Sequence, residues 1–389
     1  EPGFSLWLDR MPEGPMLNFN TFAFNPPIQA GIRAAGYSTP TPIQHQTIPA
    51  ILDGRDVLGL AQTGTGKTAA FVLPILQRLL SGRPNKARAL ILAPTRELAE
   101  QTHMAIRRLG EKTGLRSVTM YGGVSPQPQI RALRAGAEII VACPGRLLDL
   151  MNQKLVYLGG IEVVVLDEAD RMFDMGFLPD IRRIMAALPN QRQTLLFSAT
   201  MPPEIRKLAD EFLHHPVTVE IDTERPVDTI KQTICSVAPD RKYEALMELL
   251  PEAGNGQVLI FTRTKHRAKK LSMLLSNAGI STTSLQGNLS QGQRQLAMDG
   301  FRSGRVKVMV ATDIAARGLD VAKISHVINY DMPDTSDAYT HRIGRTGRMR
   351  SVGAAISLVT REDMPMLRAI EKMLGHRLER HPVTEIQNA

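Results

Sequence analysis

The sequence alternates short, unbroken apolar runs with longer amphipathic stretches, and this alternation constrains the fold more than any other feature. One set of runs is ALILAP (89–94), EIIVACP (138–144), EVVVLDE (162–168) and TLLFSAT (194–200). A second set is VLIFTRT (258–264), VKVMVATD (306–313) and HVINYD (326–331). Runs rich in Val, Ile and Leu without polar alternation are typical of parallel strands that helices cover on both faces. The pattern therefore predicts an open α/β architecture.

The two sets also resemble each other, which indicates an internal duplication. ILAPTRELAE (91–100) is echoed by LIFTRTKHRAK (259–269), and IIVACPGRLL (139–148) by VMVATDIAARG (308–318). A chain of 389 residues suits two domains of roughly 150–200 residues each. We place these domains at 19–218 and 233–375. A polar, proline-containing linker at 219–232 joins them, and extensions lie at 1–18 and 376–389.

Charge and cysteine content limit the partners and the compartment. The formal net charge of +9 suits a polyanionic partner such as nucleic acid. Cys143 and Cys235 lack metal-ligand spacing and predict neither a zinc site nor a disulfide, as in a reducing cytosol. No apolar run reaches the ~18–20 residues that span a bilayer. The opening residues, EPGFSLWLDR, do not resemble a signal peptide. We expect a cytoplasmic protein with no membrane partner.

Two motifs in the first predicted domain indicate nucleotide hydrolysis. AQTGTGKT (61–68) follows an apolar run and precedes a helical pattern, which is the context of a phosphate-binding loop, although Ala61 occupies the first glycine position. Lys67 is expected to reach the β- and γ-phosphates, and the Thr68 hydroxyl to bind Mg²⁺. Asp167 ends an apolar run and is expected to hold Mg²⁺ through water, while Glu168 deprotonates the attacking water.

A third motif, HRIGRTGR (341–348), lies in the second predicted domain. If the segment is helical, His341, Arg345 and Arg348 share one face. Two guanidinium groups on one face suit the charge that develops on a γ-phosphate during transfer. Because the phosphate loop lies in the other domain, ATP is expected to draw the two domains together.

These motifs, taken together, resemble those of DEAD-box RNA helicases, and the resemblance extends from about Phe19 to about Thr360. The chain also holds GYSTPTPIQ (36–44), PTRELA (94–99), the Gly122–Gly123 pair, SAT (198–200) and ATDIAARGLD (311–320). The bacterial branch that serves ribosome assembly and RNA degradation is the most similar. The resemblance implies two tandem RecA-like domains, each a mainly parallel sheet covered by helices on both faces, and a cytoplasmic, RNA-stimulated ATPase that uses ATP and Mg²⁺.

The resemblance also implies a role for each matching residue. The catalytic residues are Lys67, Asp167, Glu168, Arg345 and Arg348. The ATP-binding residues are Phe19, Tyr37, Thr39, Gln44, Thr63, Gly64, Thr65, Gly66, Lys67, Thr68 and Asp320, with Gln44 on the adenine edge, Phe19 stacked on the base and Asp320 at the ribose. The residues that link ATP to RNA are Asp170, Ser198, Thr200 and His341. The RNA-backbone residues are Pro94, Thr95, Arg96, Gly122, Gly123, Gly145, Arg146, Arg263, Gly287 and Thr312.

The predicted RNA residues are of types that suit phosphate and sugar rather than base edges, so sequence preference should be weak. One position departs from the family pattern, because Cys143 stands where the family has Thr. Two interpretations remain open for it. The helix N-terminus and Arg146 favour a reactive thiolate, or Cys143 is a neutral, half-buried substitute.

Two other functions are weighed against an RNA helicase that is monomeric and works with ribosome-assembly or RNA-degradation proteins. A DNA helicase or translocase has the same two-domain build, but the DEAD sequence and the segment at 36–44 disfavour it. A low-turnover, ATP-gated RNA clamp is disfavoured by the intact Lys67, Asp167, Glu168, Arg345 and Arg348.

Overall fold

The protein forms two compact units, which are described separately. The structure, a computed structural model, describes residues 18–62, 64–82, 86–221, 230–316, 324–347 and 353–381. It leaves out the side chains of Gln291, Ile314, Ala316 and Asp337. The first unit covers the described residues up to 221, and the second covers those from 230 onward.

The first unit opens on a 3₁₀ turn at Phe19–Phe22 and then alternates strands with helices. Its strands are β1 (Val57–Leu60), β2 (Ala89–Leu92), β3 (Ser117–Met120), β4 (Ile139–Ala142), β5 (Val163–Leu166), β6 (Gln193–Ser198) and β7 (Val217–Glu220). Its helices are α1 (Pro26–Ala34), α2 (Pro42–Leu52), α3 (Lys67–Leu79), α4 (Arg96–Leu109), α5 (Gln127–Arg134), α6 (Pro144–Asn152), α7 (Ala169–Asp174), α8 (Leu178–Ala186) and α9 (Pro203–Phe212).

The sheet of this unit is parallel throughout, in the order β3-β4-β2-β5-β6-β1-β7. Successive residues of its central strands enter different apolar clusters. In β2, Ala89 and Ile91 belong to one cluster, and Leu90 and Leu92 belong to the other. Because successive side chains of a strand point to opposite faces, the sheet is buried on both sides. The apolar runs predicted this arrangement.

The second unit repeats the same build. Its strands are β8 (Ile230–Ser236), β9 (Gln257–Phe261), β10 (Thr282–Leu285), β11 (Val308–Ala311), β12 (Ile324–Asn329), β13 (Gly353–Val359) and β14 (Glu379–Arg380). Its helices are α10 (Lys242–Leu249), α11 (Lys265–Asn277), α12 (Gln291–Arg302), α13 (Asp313–Ala316), α14 (Ser336–Ile343) and α15 (Met364–Leu374).

The order of its parallel sheet is β10-β11-β9-β12-β13-β8-β14. Each strand takes the place of its counterpart in the first sheet when both units are numbered from their own first strand. The predicted fold class, two tandem α/β units with parallel sheets, is therefore confirmed.

The predicted boundaries stay predictions, although the structure describes much of their surroundings. Within the predicted linker at 219–232, β7 runs to Glu220 and β8 begins at Ile230. Residues 222–229 lie outside the described part of the chain. In that part, no helix is long and apolar enough to cross a membrane.

Candidate ATP and RNA site

Most of the predicted site residues of the first unit lie at the carboxyl ends of six neighbouring strands. Of the residues predicted to bind or hydrolyse ATP, or to link ATP to RNA, those from the phosphate loop onward end or follow β5, β6 and β1, which are adjacent in the sheet. The four others, Phe19, Tyr37, Thr39 and Gln44, precede β1. Those predicted to bind RNA follow β3, β4 and β2, which are also adjacent. The carboxyl edge is where open parallel sheets bind ligands. We call the ends of β5, β6 and β1 the ATP half of this edge and the ends of β3, β4 and β2 its RNA half, after the roles predicted for their residues.

The phosphate loop has the backbone that its sequence predicts. Gly64 and Gly66 have φ values of 89° and 94°, which residues other than glycine rarely adopt. A Cβ on Gly66 would lie 2.5 Å from Nε2 of Gln44, so a larger residue would displace the Gln44 amide. Gly66 is the N-cap of α3. Ala61 does not have a positive φ, which explains why its position does not require glycine.

Lys67 is buried in the loop that it is predicted to serve. Its side chain is 6% exposed, and its Nζ donates to the carbonyl oxygen of Ala61 at 2.5 Å. The Thr65 hydroxyl donates to the carbonyl of Gln62 at 2.7 Å. Thr68 is the second residue of α3 and is half-buried, while Thr63 lies outside the described residues.

The Gln44 amide lies beside the phosphate loop, with protein partners at both ends. Its Oε1 accepts from the Thr41 backbone N–H at 2.9 Å, and its Nε2 donates to the Gly66 carbonyl at 3.1 Å. An amide has a second N–H and a second lone pair beyond these two bonds, although the Gln44 side chain is 4% exposed. The contact of Gln44 with adenine stays a prediction.

Phe19 lies in the apolar core, where its ring stacks on Tyr37 with centroids 6.0 Å apart. The Phe19 side chain is 5% exposed, whereas Tyr37 is 40% exposed and Thr39 is also exposed. Tyr37 is therefore the more accessible ring of this pair. Stacking of Phe19 on a base stays a prediction.

The two carboxylates of the DEAD sequence are buried directly after β5. Asp167 is 2% exposed, and burial and the neighbouring Glu168 raise its pKa to about 7, although Lys67 opposes this shift. Its charge is thus incompletely compensated. Glu168 has a φ of 52°, uncommon for a residue other than glycine, and is the N-cap of α7.

Arg171 was not singled out by its sequence context, yet it contacts the predicted base directly. Its guanidinium donates from Nη1 to Oε2 of Glu168, and both side chains are buried. The i, i+3 spacing on a helix start was the only available signal, and such pairs usually lie on exposed helix surfaces. Arg171 fixes the direction of the Glu168 carboxylate in this state.

Three of the four predicted linking residues form one hydrogen-bonded group. Asp170 Oδ2 accepts from the backbone N–H groups of Ala199 and Thr200 at 3.1 and 3.0 Å and from the Thr200 hydroxyl at 3.1 Å. The Asp170 N–H donates to the Ser198 hydroxyl at 3.2 Å. The segment after β5 is therefore tied to the segment after β6. His341, the fourth residue, is half-buried in α14 of the second unit.

The RNA half of the first unit places glycine backbone under a guanidinium. A Cβ on Gly123, whose φ is 77°, would lie 2.2 Å from Nη2 of Arg96. Arg96 also lies over the Tyr121 ring, 6.0 Å from its centroid. Arg146 donates to the Val124 carbonyl at 3.1 Å and to Gln129 at 3.3 Å. Both arginines therefore support the loop after β3.

The remaining predicted RNA residues of this half differ in accessibility. Pro94 and Thr95 are buried, and the Thr95 hydroxyl caps α4 by accepting from the Leu98 N–H at 3.3 Å. Gly122 and Gly145 face open space, since an added Cβ would meet no atom of the described residues within 4 Å. Close approach of a ligand to these two glycines is sterically possible.

Cys143 is the N-cap of α6, as Pro144 at the first helical position predicts, but its thiol makes no capping hydrogen bond. The interpretation of Cys143 as a reactive thiolate is wrong. Burial and the nearby Glu97 raise the pKa of this thiol to about 12, and Arg96 only partly opposes them. The Arg146 guanidinium, expected to favour the thiolate, instead donates to Val124 and Gln129.

The folded protein should therefore resist thiol alkylation. At pH 8, a thiol with a pKa of about 12 is ~10⁻⁴ ionised, against about a quarter for an ordinary cysteine. Iodoacetamide should modify Cys143 on the order of 10²-fold more slowly than free cysteine, because the higher nucleophilicity of a more basic thiolate offsets part of its low population, and the rate should rise about tenfold per pH unit. Burial also raises the pKa of Cys235, so both thiols should react quickly only in urea. Rapid modification of Cys143 in the folded chain at pH 8 would contradict this account.

The second unit repeats the arrangement of the RNA half. Arg263, Gly287 and Thr312 follow β9, β10 and β11, the counterparts of β2, β3 and β4. An added Cβ on Gly287 would also meet no atom of the described residues within 4 Å. The predicted RNA residues therefore lie at corresponding strand ends of both sheets.

The HRIGRTGR segment is not one helix. The premise that His341, Arg345 and Arg348 share one helix face is therefore wrong. Helix α14 ends at Ile343 with Gly344 as its C-cap, and Arg345 lies in the turn that follows. Arg345 is 6% exposed, and its Nε donates to the His341 carbonyl at 3.2 Å. Arg348 and Asp320 lie outside the described residues.

Arg342, to which the sequence assigned no role, anchors this turn. Its guanidinium donates to both Asp313 oxygens at 2.6 and 2.7 Å, to Asn329 at 3.0 Å and to the Asp331 carbonyl at 2.6 Å. It also lies 5.0 Å from the centroid of the Phe261 ring. These partners are distant in sequence, so no local pattern could identify them.

The phosphate loop, the paired carboxylates and the two similar sheets define a nucleotide hydrolase with two RecA-like units. A model of the DEAD/DEAH box helicase matches residues 41–208, and one of the helicase conserved C-terminal domain matches residues 241–350. The DEAD-box ATP-dependent RNA helicase CshA of Bacillus subtilis is 40% identical over 365 residues, 94% of this chain and 74% of the relative. The RNA helicase CrhR of Synechocystis is 45% identical over 346 residues, 88% of this chain and 70% of the relative.

A solved structure of the same kind matches both units. The structure of Saccharomyces cerevisiae Dbp5 bound to RNA and ADP BeF3 has a TM-score of 0.85 and 35% identity, and the match covers 94% of this chain and 96% of Dbp5. The chain therefore belongs to the DEAD-box ATP-dependent RNA helicases.

Proposed function

We propose that the chain hydrolyses ATP in order to bind, locally unwind and release RNA with little sequence preference. One observation carries this proposal: the carboxyl edge of the first sheet is divided into a phosphate-loop half and a half of glycines and arginines. The Asp170 group joins β5 to β6 within the first half. Membership of the DEAD-box ATP-dependent RNA helicases supports the same proposed function.

The residues of the ATP half fit a magnesium nucleotide. Asp167 is a buried carboxyl with a pKa raised to about 7, and such an incompletely compensated group suits a divalent cation. When bound, Mg²⁺ would neutralise charge that develops on the phosphates. Asp167 and Thr68 are proposed to hold it, largely through water, and Lys67 to bind the β- and γ-phosphates. The loop has the glycine backbone that phosphate binding requires.

The proposed chemistry assigns one task to each remaining group. Glu168, held by Arg171, accepts a proton from the attacking water. Arg345 and Arg348 stabilise charge at the γ-phosphate. The proposed adenosine contacts are Phe19, Tyr37, Thr39 and Gln44 for the base, and Asp320 for the ribose. Asp170, Ser198, Thr200 and His341 are proposed to transmit the state of the nucleotide to the RNA residues.

The location, the oligomeric state and the protein partners of the chain are also proposals. A cytoplasmic location suits Cys143 and Cys235, both of which are free thiols. We propose that the chain works as a monomer and that its protein partners belong to ribosome assembly or RNA degradation, the processes of the bacterial branch that its motifs resemble.

The proposed function is tested by strand displacement. With ATP, the chain should separate a short RNA duplex, and Lys67→Ala should abolish this activity because the phosphate contact is lost. A matched control is Lys154→Ala, an exposed lysine of the same unit. If both the unsubstituted chain and the Lys154→Ala variant fail to separate any short duplex with ATP, the proposed activity is wrong.

RNA binding should weaken with salt, because cationic side chains that contact phosphate release counterions. Between about 50 and 200 mM salt, affinity should fall roughly tenfold or more. Affinities for RNAs of equal length and different sequence should agree within a few-fold, because the proposed contacts are to the backbone. Fluorescence anisotropy measures both quantities. Salt-independent affinity, or strong preference for one short sequence, would contradict backbone binding.

A further inference from the structure

A buried carboxylate of the second unit, Asp331, gathers three donors at the carboxyl edge of the sheet. Arg267 Nη1 donates to its Oδ1 at 2.6 Å, and Lys242 Nζ lies 3.4 Å from the same oxygen. The backbone N–H of Arg263 donates to Oδ2 at 3.0 Å. Asp331 is 1% exposed. A carboxylate at this depth is tolerated only with such partners.

The backbone of Asp331 connects two segments that the proposed function uses. Its N–H donates to the Phe261 carbonyl at 3.2 Å, at the end of β9. Its carbonyl accepts from Arg342, the anchor of the turn that carries Arg345. The start of the RNA-facing loop after β9 and the arginine turn after α14 are therefore fixed to the same residue.

The guanidinium of Arg263 is held much less firmly than its backbone. The side chain is 51% exposed, and its contacts to Asp334 and Asp363 are 3.6 and 3.7 Å long. Contacts of this kind at an exposed side chain contribute little. The guanidinium can exchange these carboxylates for a phosphate, while Asp331 fixes the point from which the side chain extends.

We infer that Asp331 is a positioning residue for RNA binding, which acts by fixing Arg263 through the Asp331 carboxylate. This inference rests on the proposed function, because it takes Arg263 as a contact to the RNA backbone. Lys242 and Arg267 compensate the buried charge, and neither is required to touch RNA. The alternative is that the ion pairs of Asp331 with Lys242 and Arg267 only stabilise the second unit.

The test is a double-mutant cycle of Asp331→Asn and Arg263→Ala in the full chain, with single-stranded poly(U) RNA. The measured quantity is the RNA concentration that gives half-maximal stimulation of ATP hydrolysis. Asp331→Asn should raise it about tenfold, the effect of losing one charge-assisted hydrogen bond. In the Arg263→Ala background, Asp331→Asn should raise it no further. The control Asp334→Asn, on a side chain that is 81% exposed, should change it less than twofold in any background.

A purely stabilising role makes a different prediction. Asp331→Asn would then lower the melting temperature. The RNA concentration for half-maximal stimulation would either stay unchanged or rise by a factor that multiplies with the factor of Arg263→Ala. Either result overturns the inference. If Asp331→Asn does not fold, Arg267→Gln removes the nearest cation from a side chain that is 55% exposed, and the same cycle decides. Failure of the proposed function is distinguishable, since RNA would then not stimulate the unsubstituted chain.

Discussion

Replacement of Glu168 by Gln is expected to lower the RNA-stimulated rate of ATP hydrolysis by ~10²–10⁴-fold, the usual contribution of a general base. The amide keeps the shape of the carboxylate but cannot accept the proton of the attacking water. Because Glu168 is the residue at the N-cap of α7 and not part of the RNA half, ATP-dependent RNA binding should persist. Single-turnover hydrolysis and anisotropy in the presence of ATP measure the two effects.

The matched control for this substitution is Glu204→Gln, an exposed glutamate in the first turn of α9. It should hydrolyse ATP at the unsubstituted rate. A Glu168→Gln variant that hydrolyses ATP at nearly the unsubstituted rate would show that another group is the base. Loss of RNA binding in that variant would instead indicate that the Glu168–Arg171 contact supports the fold of the site.

Removal of Arg345 or Arg348, the two arginines proposed to stabilise charge at the γ-phosphate, should lower the rate of ATP hydrolysis by a similar or greater factor. Arg345→Ala and Arg348→Ala should each lower kcat by ~10³–10⁵-fold, because the guanidinium stabilises charge that appears only during transfer. The KM for ATP should change far less, since the phosphate loop and Gln44 belong to the first unit. Arg345→Lys should not restore the rate, because an ammonium group cannot reproduce the planar fork of arginine.

Arg345 is buried, so its loss must be separated from a change in folding. Thermal unfolding of each variant provides that separation, and Arg305→Ala, at an exposed arginine of the same unit, is the control for charge. Full activity in both alanine variants would contradict a role of the second unit in hydrolysis.

The central strands of each sheet could be predicted from the sequence, and most strands nearer the edges could not. Strands β2, β4 and β5 have buried residues throughout, so their sequences are continuous apolar runs. The edge strands β3 (SVTM) and β10 (TTSL) are partly exposed and include hydroxyl residues, which leave no such run. Strand β8 (IKQTICS) begins inside the stretch predicted as linker although it lies between β13 and β14 and is mostly buried, because Lys231, Gln232 and Thr233 interrupt its apolar residues.

The site divides in a similar way. The glycines of the phosphate loop and the carboxylates after β5 could be predicted from the sequence, because each group forms a motif of consecutive residues. The anchoring of Arg342 depends on partners that folding brings together. The contact of Arg171 with Glu168 is local in sequence, but the burial of both side chains depends on the whole unit. The error at Cys143 has the same origin, since burial raises the pKa of this thiol and burial depends on the whole unit.

The central claim, that this chain is an RNA-dependent ATPase rather than a general nucleic-acid motor, is tested most directly by comparing two stimulants. Steady-state ATP hydrolysis is measured with single-stranded RNA and with DNA of the same sequence and length. The account predicts that RNA raises the rate at least about tenfold while DNA leaves it near the basal value, because the 2′-hydroxyl distinguishes the two backbones. Equal stimulation by both would contradict the account and indicate a motor that tracks either strand.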